Sequence, residues 1–202
     1  LIDHPRGRLD LCAVAVDHLL GGQLAAEHLL SLGHRRIAYI AGASDPRPAT
    51  QRGDGARLAL AAAGLDPDEA LLHIRMPIHP PTLVEAATRA VEQILSAAPR
   101  PTAVMCLNDT AALGVLHGLD AAGVRVPADI SVVGYDDLPF ASRLAPPLTT
   151  INQPKYQLGH TAADLLLDET NPDHTHREIR YRPSLVVRSS TAAAPRSRRR
   201  PR

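Results

Sequence analysis

Apolar residues recur along this chain in two alternating rhythms: short continuous runs, and longer stretches with apolar positions three or four apart. The first kind reads as buried strand and the second as amphipathic helix. Strands are predicted at residues 11–16, 36–41, 71–76, 102–107 and 130–135. Shorter extended pieces follow at 148–151 and 179–187, the latter divided by Pro183. Helices are predicted at 19–32, from about 50 to 63, at 82–97, from 108 to about 122, and at 156–167. Leu19, Leu20, Leu24, Leu29 and Leu32 form the stripe of the first helix, and Leu83, Ala87, Val91 and Ile94 that of the third. Gly33, Gly64 and Gly123 follow three helix ends, where a left-handed residue closes the last turn most easily as glycine.

Strand and helix alternating in this way predict an open, mostly parallel α/β sheet, and the unbroken run at 102–107 suits a strand covered on both faces. In such sheets ligands bind beyond the carboxyl ends of the strands. Asn108 follows one strand, Asp136 another, and the segment 42–52 with Arg52 a third. All three polar groups are therefore expected along one edge, facing one cleft.

Composition narrows the picture. The 202 residues are 45% hydrophobic but only 2% aromatic, so the core must be built from Ala, Leu, Val and Ile. No apolar run approaches the roughly 18 residues of a membrane span. The first residues lack the basic-then-apolar pattern of a signal peptide. The chain opens on Leu1 and is expected to be a piece of a longer polypeptide. Net charge is +1, but the last eight residues hold five of the 22 basic residues; without them 17 bases face 21 acids, a net of −4. A mildly acidic body does not grip nucleic acid by itself. The basic tail, 192–202, is expected to be disordered. Cys12 and Cys106 each lie in an apolar run and read as small buried hydrophobes.

Several blocks then resemble one family. "GHRRIAYI" at 33–40, "RGDG" at 52–55, "NDTAALG" at 108–114, "VPADISVVGYDD" at 126–137, "PLTTI" at 147–151 and "LVVRSST" at 185–191 stand in the order and spacing of LacI-family (lactose-repressor-type) transcriptional regulators. The resemblance covers roughly residues 1–191. It implies an effector-binding module with the periplasmic-binding-protein-like fold, two α/β lobes flanking a cleft. The expected division is a partial N-terminal lobe, 1–16 and 153–182, and a nearly complete C-terminal lobe, 17–152 and 183–191. Crossings between lobes would lie near residues 16–17, 151–153 and 181–183. The family's helix-turn-helix, hinge helix and first half of the effector module have no counterpart in this sequence, so DNA would be reached only through a separate N-terminal head. A partial lobe is also expected to expose apolar surface.

The resemblance sharpens three candidate ligand-binding residues. Asp136 can accept two hydroxyl hydrogen bonds from a polyol; the competing role is an N-cap for the segment after Leu138. Asn108 offers donors and an acceptor to adjacent hydroxyls; its competing role is also capping, with Asp109 expected to take the cap. Arg52 presents a planar fork of donors, and the family's arginine at this position reaches into the cleft; the competing role is a surface arginine in a first helical turn. Asp137 is expected to cap or face solvent, His34 to interact with the helix C-terminal dipole or pack, and residues 45–49 to be a plain loop or a rim of the cleft. Where the family often has an aromatic after the strand ending at Met76, this chain has Ile78 and His79. The ligand is then less ring-like, or the ring comes from the half of the effector module without a counterpart here.

No nucleophile elbow, P-loop or dinucleotide fingerprint is present, so no enzyme is expected. His73, His79, His174 and His176 form no helical ligand pair with a carboxylate, and residues 174–176 read as a polar turn, so no metal or cofactor is expected. The sequence points to the effector module of a cytoplasmic, homodimeric regulator that binds a small polar molecule, most simply a sugar. The alternative is the solute-binding protein of a transporter.

Overall fold

The computed structural model describes residues 1–3, 11–42, 47–78 and 82–195. His79, the expected loop residues 43–46 and the arginine-rich end of the tail, 196–202, lie outside them. The described residues form strands β1 (Ala13–Val16), β2 (Ile37–Gly42), β3 (Leu71–Met76), β4 (Ala103–Cys106), β5 (Ser131–Asp136), β6 (Thr149–Asn152), β7 (Glu178–Tyr181) and β8 (Ser184–Val186). The helices are α1 (His18–Ser31), α2 (Arg47–Ala62), the single turn α3 (Pro67–Ala70), α4 (Leu83–Ser96), α5 (Asp109–Ala121) and α6 (Lys155–Asp168). Helix α2 starts earlier than the periodicity predicts because Pro48 fits a first turn, where its missing N–H has no intrahelical partner to lose. Gly33, Gly64 and Gly123 all have positive φ (88°, 74° and 68°), as their cap positions require.

Six strands form one sheet in the order β3-β2-β4-β5-β6-β8, parallel except for β8, which runs antiparallel to β6. Helices α4 and α5 cover one face through a core of Ile40, Ile74, Val91, Ile94, Val104, Val115, Leu119 and Val132. Helices α1 and α2 cover the other over Leu29, Ile37, Tyr39, Leu60, Val133 and Ile151. Covering both faces explains why β2 and β4 are buried at every position. Strands β1 and β7 form a separate parallel pair, with α6 closing a small core of Cys12, Val14 and Leu165. The chain passes between the sheets after Val16, after Asn152 and between Tyr181 and Ser184.

Close helix contact fixes α1 against α2. A Cβ on Gly22 would fall 2.0 Å from the Arg52 carbonyl oxygen, and one on Gly55 would fall 2.0 Å from that of Leu19. Only glycine admits this approach, and it sets the depth at which Arg52 sits.

Residues 192–194 correct the expectation of a disordered tail from 192 onward. Ala192 N–H donates to the Ser131 hydroxyl at 3.1 Å, and Ala194 N–H to the Leu32 carbonyl at 2.8 Å. The cause is His34, 1% exposed, whose Nδ1 lies 2.8 Å from the Thr102 hydroxyl and whose Nε2 lies 3.0 Å from the Ala192 carbonyl. A buried imidazole needs partners for both nitrogens, and the docked segment supplies one. His34 is thus a packing residue, and burial pushes its pKa down.

Candidate functional site

Strands β2, β4, β5 and β6 end at one edge of the large sheet, beside the N-termini of α1 and α5. Arg52 occupies the second turn of α2 and is 8% exposed, not the surface arginine of the competing expectation. Its Nη1 donates to the Leu107 carbonyl, its Nε donates to His18 Nδ1 at 3.3 Å, and its guanidinium lies over the Tyr135 ring. The face of an aromatic ring is negative, so the stack both desolvates and stabilises the cation.

Because Arg52 can only donate, His18 Nδ1 must be the acceptor, and the neutral ring carries its proton on Nε2. The Tyr135 hydroxyl reaches the same Nδ1 at 3.1 Å. His18 Nε2 stands 3.3 Å from Asp3 Oδ1, facing the carboxylate but outside hydrogen-bonding geometry. Asp3 also accepts from Val16 N–H at 2.9 Å. Burial raises the Asp3 carboxyl, yet His18 and the Val16 N–H outweigh it and hold it below its ordinary range.

Asp136 is the last residue of β5, and its φ is 107°; Asp137 follows at 53°. Two successive non-glycine residues in this region cost on the order of 1–3 kcal/mol each, and such strain concentrates where a side chain must be aimed. Asp136 caps no helix. Its Oδ1 accepts from Gln153 Nε2, its carbonyl accepts from Lys155 Nζ, and Oδ2 has no protein partner among the described residues. Burial pushes its pKa up, while the charge of Arg52 pulls it back.

Asn108, not Asp109 as expected, takes the cap of α5. Asn108 is the N-cap of α5, its Oδ1 accepting from Ala111 N–H at 2.8 Å, which leaves the amide nitrogen as its remaining side-chain donor. Asp109 is fully buried and caps nothing. It accepts from the Thr150 hydroxyl at 2.6 Å and from Leu138 N–H at 2.7 Å, tying α5, β6 and the segment after β5 together. Either residue type suits a cap; the buried Thr150 hydroxyl, needing an acceptor, claims Asp109 and leaves the cap to Asn108. Asp137 neither caps nor faces solvent freely: Arg188 pairs with it at 2.7 Å, both side chains about one-fifth exposed.

Arg52 links the other two candidates. It holds the carbonyl of Leu107, the residue before Asn108, and the ring of Tyr135, the residue before Asp136. The edge thus offers a cation, an amide donor and a carboxylate oxygen, groups that suit hydroxyl-rich molecules. His18, Tyr135, Gln153 and Lys155 escape a reading of the sequence. The one available signal was Tyr135, a polar-tipped ring ending an otherwise aliphatic strand.

The model of the periplasmic binding protein-like domain matches residues 26–191. A LacI-family transcriptional regulator from Enterococcus faecium, solved with bound ribose, superimposes with a TM-score of 0.88 at 33% identity, over 96% of this chain and 70% of that one. The chain belongs to the LacI family of transcriptional regulators. Among other relatives, the ribose operon repressor of Escherichia coli K12 is 41% identical over 174 residues, 85% of this chain and 51% of its own length. The transcriptional repressor PurR of Vibrio atlanticus is 39% identical over 171 residues, 84% of this chain and 50% of its own. The regulator CelR in complex with cellobiose superimposes with a TM-score of 0.82 at 35% identity, over 94% of this chain and 57% of that one. The chain spans about half the length of the repressors it matches. No described helix is long and apolar enough to cross a membrane.

Proposed function

We propose that this chain is the effector-binding portion of a LacI-family regulator and that it takes a small hydroxyl-rich molecule, a sugar or sugar derivative, at the strand-end edge. Arg52, Asn108 and Asp136 are the contact residues. Arg52 and Asn108 donate to ligand oxygens and Asp136 Oδ2 accepts from hydroxyls, while Tyr135 and Gln153 hold the charged groups in place. The observation that carries this is the buried Arg52 guanidinium, fixed on Tyr135 beside a strained carboxylate. Solved relatives with bound ribose and cellobiose support the ligand class.

The pair β1–β7 with α6 is the partial N-terminal lobe, residues 1–16 and 153–182, and the six-stranded sheet with its helices is the C-terminal lobe. A ligand that binds the closed arrangement of lobes more tightly than the open one shifts the population toward closure. In a homodimer carrying DNA-reading heads, in the cytoplasm, that shift would alter operator binding. The chain's role is to hold a ligand, a non-catalytic reading that the repressors among its relatives support. The named relatives are regulators, which favours this role over a transporter's solute-binding protein.

Calorimetric titration of the chain with pentoses, hexoses and disaccharides tests the proposal. Saturable binding at one site, abolished by Arg52→Met, is expected. Absence of binding across the panel overturns it.

A further inference from the structure

Away from that edge, the side chains of Cys12, Glu169, His174 and His176 converge beside the two-stranded sheet, their ligand atoms all within 4.8 Å of one another. We propose that they form a divalent-metal site of zinc-binding chemistry, with one thiolate, two imidazole nitrogens and one carboxylate oxygen.

The spacing fits. Cys12 Sγ lies 3.3 Å from His174 Nε2, which lies 3.2 Å from His176 Nδ1. Around a tetrahedral zinc with bonds of about 2.0–2.1 Å to nitrogen and about 2.3 Å to sulfur, neighbouring ligand atoms stand roughly 3.3–3.6 Å apart. The nitrogen and sulfur atoms are already close to that arrangement.

The orientation fits as well. His174 is 7% exposed, and its Nδ1 lies 2.9 Å from Asp168 Oδ2. A carboxylate oxygen at that distance accepts the Nδ1 proton and fixes the tautomer of the ring. That leaves the Nε2 lone pair aimed into the cluster, the outer carboxylate support that metal-bound histidines carry. Hydrogen bonding alone satisfies the cluster poorly. One lone pair on Nε2 faces both the Cys12 thiol and His176 Nδ1 and can accept only one proton, whereas a single cation engages every lone pair at once. Thiolate and imidazole together select zinc over calcium or magnesium.

Placement supplies a purpose. Cys12 leads into β1, Glu169 ends α6, and His174 and His176 lead into β7. Among the described residues, two strands and a helix on a core of Cys12, Val14 and Leu165 are marginal alone. An ion joining positions 162 residues apart would staple them, its binding energy becoming folding energy. A groove of about 390 Å³ bordered by Leu1, Ile2 and Val14 reaches Cys12 and Glu169 and gives an ion its approach.

Titration of the reduced, EDTA-treated chain with Co²⁺ tests the site. One equivalent should produce tetrahedral visible bands and a near-ultraviolet thiolate-to-cobalt band, both removed by Zn²⁺. Cys12→Ser should lose the near-ultraviolet band. Asp168→Asn should keep it but bind about 10–100-fold more weakly, as loss of outer support does. His176→Gln, on the polar turn, should weaken Co²⁺ binding at least about tenfold with unchanged far-ultraviolet circular dichroism, and it decides the matter if Cys12→Ser does not fold. No thiolate band in the folded chain, the same band in Cys12→Ser, or unchanged affinity in His176→Gln overturns the proposal.

Discussion

The guanidinium carbon of Arg52 lies 3.6 Å from the centre of the Tyr135 ring. A helix from one side of the sheet thereby meets the end of its fourth-ranked strand, and the candidate cation is held by the protein's own contacts. Tyr135→Leu should remove the ring's face and leave a void, lowering stability by about 2–4 kcal/mol. Tyr135→Phe keeps the ring and loses only the hydroxyl contact with His18, so it should cost about 1 kcal/mol. Urea unfolding of both variants separates the effects; equal losses would mean the stack does not hold Arg52.

Arg52 also depends on the glycine contact between α1 and α2. An exposed glycine in mid-helix replaced by alanine usually gains roughly 0.5–1 kcal/mol. Gly159 in α6 has nothing within 4 Å of a new Cβ, so Gly159→Ala should show that gain. Gly55→Ala would drive its Cβ to 2.0 Å from the Leu19 carbonyl oxygen, and overpacking of this kind costs about 1–3 kcal/mol. The two substitutions should therefore move the unfolding midpoint in opposite directions.

Asp109 makes a pH prediction. Burial pushes its carboxyl up to about 6, the Thr150 and Leu138 hydrogen bonds pull it down, and Asp136 and Asp137 push it up. Its folded pKa exceeds the unfolded value of 3.8, so between the two the native state binds more protons and stability falls as pH rises. The loss should be complete above the folded pKa and amount to roughly 2–3 kcal/mol. Asp109→Asn cannot titrate. Stability measured by urea unfolding between pH 4 and pH 7 should shift in the variant's favour by that amount relative to the parent chain, and a constant difference would contradict it.

The sheet and its helices were legible because each long-range feature has a local trace: unbroken apolar runs for β2 and β4, three-to-four spacing for α1 and α4, glycine after helix ends. The placement of Asn108, Asp136 and Arg52 near one edge followed from the parallel topology. What stayed hidden depended on contacts between distant segments. Nothing near Asp109 announces that the Thr150 hydroxyl will claim it, nor near His18 that Arg52 and Tyr135 will share its ring nitrogen. Cys12 reads as a plain apolar residue until residues 174 and 176 fold back against it. The same holds for the tail, where a buried histidine, not composition, orders residues 192–194.

The central claim is that the strand-end edge binds a hydroxyl-rich ligand through charged groups held ready. Asparagine tolerates the positive φ of Asp136 and keeps its shape while removing the charge. Calorimetric affinity of Asp136→Asn for the sugar that binds the parent chain is the most direct measurement. A loss of about 10–100-fold with an unchanged unfolding midpoint is expected, since hydrogen bonds to a charged group contribute about 1.5–3 kcal/mol. Unchanged affinity in the folded variant would contradict the assignment of this edge as the ligand site.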